Sequence, residues 1–111
     1  MIKLIGIFRK IEDMEAFKEQ FFRDWLPKML QVSGVIGVKI STMLPMSSNL
    51  AQDVEGIQLV IESCFESKEA IDRIVYSGVA QSLLETVSQL PGELSVYIGQ
   101  EKTYSLADFQ G

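Results

Sequence analysis

The sequence predicts an α+β domain of order β-α-β-β-α-β, in which one face of a four-stranded antiparallel sheet carries two helical segments. Three observations predict it. Apolar or β-branched runs at residues 2–8, 35–44, 56–65 and 94–98 have the length and alternation of strands. Apolar residues at helical spacing fill the interval between the first two runs and the interval between the last two. The second and third runs are joined by a polar segment without periodicity, as in a hairpin.

Ile2 to Phe8 is the first strand, ended by Arg9 and Lys10. Alternation puts Ile2, Leu4 and Phe8 on one face and Lys3, Ile5, Ile7 and Arg9 on the other, so both faces of this strand carry apolar residues. Asp13 is an N-cap, Glu15 suits the positive end of a helix dipole, and Met14, Phe17, Phe21, Trp25 and Met29 follow as one stripe. Pro27 has no amide hydrogen and crowds the preceding turn, which predicts a kink, or a break and restart.

The chain leaves this helix through Gly34 and enters a second strand, Val35 to Leu44, stopped by Pro45. Residues Met46 to Asp53 form the long connection and are expected to be the most mobile segment. Gly56 to Phe65 is the third strand, with Ile57, Leu59, Ile61 and Phe65 on one face and Gln58, Val60, Glu62 and Cys64 on the other. Ser67 opens a helix whose stripe is Ala70, Ile71, Ile74 and Val75. Ser77-Gly78 permits a second start with Ala80, Leu83, Leu84, Val87 and Leu90. Pro91-Gly92 ends it, Leu94, Val96 and Ile98 mark the last strand, and Ser105 to Gly111 is a short tail.

With 111 residues the chain is one domain, residues 1–111, and 47% hydrophobic residues with three prolines predict a folded core. The absence of histidine removes Ser-His-Asp and Cys-His nucleophile pairs and imidazole metal ligands. A net charge of −5 provides no basic field for nucleic acid. No Asp/Glu cluster has metal-ligand spacing, and Gly34-Val-Ile-Gly37 leads into a strand where a phosphate loop would lead into a helix, so neither metal nor cofactor is expected. The single cysteine, Cys64, reads as an inert thiol in strand core. The start MIKLIGIF lacks the pattern of a signal peptide, and no apolar stretch reaches ~20 residues; a cytoplasmic protein with no membrane segment is expected.

The element order is that of the ferredoxin-like split βαβ unit. A sheet with helices on one face should be polar on the other, yet the first and third strands carry Ile, Val or Cys on both faces. A symmetric homodimer whose two sheets pack into one barrel buries the second face.

Residues Met1 to Ile5, Phe17 to Phe22, Pro27, Gly34-Val35, Gly56 to Phe65, Ser67 to Ala70 and Ser77-Gly78 give the chain a resemblance to the EthD-like family of dimeric α+β barrel proteins, over roughly residues 1–103. The family's first helix carries an aromatic, a histidine two positions before a proline, and a glycine seven positions after it. Phe21, Pro27 and Gly34 match, and Trp25 stands at the histidine position. The resemblance implies a pocket between sheet and helices. Its relatives include cofactor-independent monooxygenases, cyclases and isomerases, and members without an assigned reaction.

The pocket residues expected are Phe17, Phe21 and Trp25, whose aromatic surfaces suit a small apolar or aromatic ligand. Trp25 offers only a ring N–H and cannot do a histidine's proton transfer. The candidates for acid–base work are Tyr97 and Glu62, since a carboxylate in apolar surroundings has a raised pKa. Each has an ordinary alternative: Glu62 as the ion-pair partner of Arg9 or Lys39, and Tyr97 as a packing residue of the barrel interior. Two functional readings follow. One is an enzyme acting on an apolar small molecule without a cofactor. The other is a non-catalytic binding or structural dimer in which Trp25 fills the histidine's place.

Overall fold

The computed structural model describes residues 1–44, 56–76 and 78–110. The described strands are β1 (Ile2–Arg9), β2 (Val35–Thr42), β3 (Ile57–Phe65) and β4 (Glu93–Gln100). They form one antiparallel sheet of order β2-β3-β1-β4. The helices are α1 (Met14–Gln20), α2 (Leu26–Leu30), α3 (Lys68–Tyr76) and α4 (Val79–Ser88). This is the α+β, ferredoxin-like arrangement expected of the sequence. The connection Met46 to Asp53, expected to be mobile, lies outside the described residues.

The core lies between the sheet and the helices, where Phe8, Leu59, Ile61 and Phe65 of the sheet meet Phe17, Phe21, Trp25, Met29, Ala70 and Ile71. Asp13 caps α1 by accepting from the Ala16 amide at 3.1 Å, and Ser67 accepts from the Ala70 amide at 3.3 Å at the start of α3. Between α1 and α2 the chain stays helical, but Phe21–Trp25 is a π-helical segment, with the Leu26 amide reaching the Phe21 carbonyl. Pro27 accounts for it: its ring clashes with the carbonyl four residues back and offers no hydrogen bond, so the helix widens upstream and continues. The interruption expected at Pro27 is therefore a bulge, and it keeps Phe21, Trp25 and Met29 on the buried side.

Gly34 joins α2 to β2 with φ +93°, and a Cβ there would lie 2.7 Å from the Ala70 Cβ. Both the left-handed backbone and the close approach of α3 demand glycine. At the other end of β3 the register shifts between Phe8 and Arg9. There the Gln58 side chain accepts from the Ile11 amide at 2.6 Å and donates to the Ile11 carbonyl at 3.1 Å, which holds the chain after β1 against β3.

Three details depart from the sequence reading. The second strand ends at Thr42, short of Leu44. The tail contains a 3₁₀ turn, Leu106–Phe109, because Ser105 and Asp108 form a reciprocal capping box. Glu62 pairs with Lys3 at 3.0 Å, not with Arg9 or Lys39. Lys3 pairs with Cys64, two positions from Glu62 and on the same face of the β1–β3 ladder, and its side chain is buried there, while Arg9 donates to Ser95 at 3.4 Å.

Candidate functional site

Between the helices and the sheet the core is not filled. A cavity of about 240 Å³ lies there, floored by Leu4, Gly6, Phe8, Ile61 and Ser63, with Leu94, Val96 and Ile98 of β4 along one side. Its roof is Trp25 and Met29 from the first helical segment and Ile71, Ile74, Leu83 and Val87 from α3 and α4. Alternation explains the floor: directly paired residues of antiparallel strands share a face, so Leu4, Ser63 and Ile98, which are in register, point the same way. Val96 and Ile98 are half or more exposed, so the cavity opens along the β4 edge.

Trp25 is 8% exposed and presents its ring to the cavity. Behind it the indole stacks on Phe21 at 4.9 Å between centroids, and Phe21 stacks on Phe17 at 6.1 Å. Phe17 in turn meets Phe8 edge-on at 4.9 Å. Of the three aromatics expected in the pocket, Trp25 lines it, while Phe17 and Phe21 form the sealed layer that holds Trp25 in place. The π-helical segment positions the indole, because its carbonyl and amide pairing sets the angle at which Trp25 leaves the helix.

Tyr97 and Glu62 are both in register with Ile5, one on each side of it. They share a face, and it is the sheet face opposite the cavity. Two strand spacings put them about 10 Å apart. Tyr97 is exposed, and the Glu62 carboxylate accepts from the Lys3 ammonium. Lys3 is also paired with Glu101. The hydrogen bonds it donates to Glu101 and Glu62 hold the Lys3 ammonium protonated well above its ordinary range, and the bond from Lys3 holds the Glu101 carboxyl below its own. This triad is an electrostatic clasp between β1, β3 and the end of β4.

Among the described residues, the cavity lining contains no charged side chain. Among the described lining residues the only side-chain nitrogen or oxygen besides the Trp25 ring nitrogen is the Ser63 hydroxyl, on a residue the alternation of Leu59, Ile61 and Phe65 places on this face. That alternation was the signal from which Ser63 could have been read. Such a lining suits an uncharged apolar molecule, since a buried charge without a partner is costly. It supplies no general acid or base. Among the described residues no group of three His, Cys, Asp or Glu could hold a metal ion, and no described helix is long and apolar enough to cross a membrane.

No protein-family model matches the chain, and no curated protein does. Solved structures do. An ethyl tert-butyl ether D (EthD) family protein from Bacillus halodurans C-125 is 21% identical over 92% of this chain and 99% of its own, with a TM-score of 0.73. SnoaB from Streptomyces nogalater, described as a cofactor-independent oxygenase, is 10% identical over 93% of this chain and 94% of its own, with a TM-score of 0.66. A dimeric protein of unknown function and ferredoxin-like fold from Bacteroides fragilis NCTC 9343 is 8% identical over 90% and 95%, with a TM-score of 0.59. The resemblance read from the residues thus has its counterpart in three dimensions, and the chain has the ferredoxin-like α+β fold that these EthD-family, oxygenase and dimeric structures share.

Proposed function

We propose that the protein binds a small, uncharged, apolar or aromatic molecule in the cavity beside Trp25, and that it does so as a homodimer. The observation that carries the first part is the lining: a cavity of about 240 Å³ open at one edge, with no charged side chain among the described residues that face it. Apolar cavities of about 150 Å³ stay dry and take up benzene, so this one has room for a second ring. The homodimer is supported by the opposite sheet face, where Ile5, Ile7 and Val60 are only half-buried by their own chain. It is supported as well by the dimeric state of the ferredoxin-like Bacteroides fragilis protein.

A turnover reading uses the same cavity. SnoaB is described as a cofactor-independent oxygenase, and its fold likeness favours a reaction of that class on an apolar substrate. Since the described lining carries neither acid nor base, such a reaction would rely on the substrate's own acidity.

The test is titration with 1-nitronaphthalene, an uncharged quencher, while following the emission of Trp25, the chain's single tryptophan. Saturable quenching is the expected result. A blue emission that the probe never quenches would mean a closed core and would overturn the proposal.

A further inference from the structure

Ser63 is 2% exposed, sits on the inner strand β3 between Val38 and Leu4 in the register, and faces the cavity. Its hydroxyl makes none of the side-chain hydrogen bonds found among the described residues, although no sealed side-chain polar atom there is left without a partner. The hydroxyl is therefore not fully sealed, and the space that Ser63 lines is the cavity. A hydroxyl placed in an otherwise apolar cavity, with no partner of its own, is poised for one from outside.

We propose that Ser63 is the specificity-determining residue of this cavity, selecting a flat, uncharged, bicyclic-sized ligand that carries a single hydrogen-bonding group at one end. This rests on the binding reading above. The orientation follows from the topology. The mouth is at the β4 edge, by Val96 and Ile98, and β3 lies two strands further in. Two strand spacings are about 10 Å, the length of a two-ring molecule lying across the floor. The ligand's polar end meets Ser63 at the deep end, and its apolar end lies toward the mouth. Trp25 covers the ring from above as the aromatic part of the roof.

Indole and indene have the same shape and differ in a ring N–H that Ser63 can accept from. Calorimetric titration of the protein and of Ser63→Ala with each compound tests the inference. The expected result is that the protein binds indole about three- to tenfold more tightly than indene, the range of one net hydrogen bond. In Ser63→Ala the ratio falls to about one, with indene affinity retained. If both compounds bind the unaltered protein equally, or the preference survives in Ser63→Ala, the role of Ser63 is overturned while the cavity stands. If neither compound binds, the cavity reading itself falls and this inference with it.

Discussion

The Lys3 ammonium and the Glu62 carboxylate meet at 3.0 Å on the sheet face turned away from the helices. With Glu101 on the same ammonium, one buried cation ties the middle of the sheet to the chain leaving β4. The sequence's alternation makes this possible, since Lys3 and Glu62 fall on the face that also carries Ile5 and Ile7.

The clasp sets a pH dependence. The Glu101 carboxyl is held below its ordinary 4.5, so its contribution is present above that value and is lost as pH falls through the lower folded value. Lys3 is raised above 10.5, so its contribution is full below that pH and is lost only as pH rises through its still higher folded value. Urea midpoints measured across pH should fall below about pH 4.5, and Glu101→Gln should flatten that acid limb. An acid limb of unchanged slope in the variant would show that the clasp does not contribute.

Gly34 and Ala70 predict a steric effect where the chain enters β2, at the same end of the sheet. A Cβ at Gly34 would be 2.7 Å from the Ala70 Cβ at a backbone φ of +93°. Gly34→Ala should cost about 2–4 kcal/mol in urea unfolding, from left-handed strain and overpacking together. Gly37, three residues on, has nothing within 4 Å of where a Cβ would stand. Gly37→Ala is the control and should stay within about 1 kcal/mol.

Filling the cavity should separate binding from folding. Val87→Phe adds a ring to the roof, and should abolish quenching of Trp25 by 1-nitronaphthalene while changing stability by about 1–2 kcal/mol. Tyr97→Phe and Glu62→Gln, on the opposite sheet face, should leave the quenching curve unchanged. Loss of quenching in either of the latter would move the site to that face.

Most of the fold was legible because its signals are local. Period-two alternation defines β1 and β3, Asp13 and Ser67 cap their helices as their residue types require, and Gly34 ends the first helical segment. The form of the break at Pro27 was not legible, because a proline fixes where the helix must yield and not whether it kinks or bulges. The site was legible in part. Trp25 faces the cavity, but Phe17 and Phe21, on the same stripe, are sealed behind it, a depth that helical spacing does not encode. That Tyr97 and Glu62 share a face depends on both pairing with Ile5, a register between distant strands that neither strand records alone.

The half-buried Ile5, Ile7 and Val60 predict association through that face. Light scattering should give twice the chain's 12.5 kDa. Ile7→Asp, which puts a charge in the middle of the face, should bring the mass down to 12.5 kDa. A single-chain mass for the unaltered protein at every concentration would contradict the dimer.

The most direct measurement is anomalous diffraction from crystals soaked in 4-iodophenol. An iodine peak is expected in the cavity between Trp25 and the floor of Leu4 and Ile61, with the phenol oxygen toward Ser63. A cavity without iodine, with the compound bound on the opposite sheet face or nowhere, would contradict binding there.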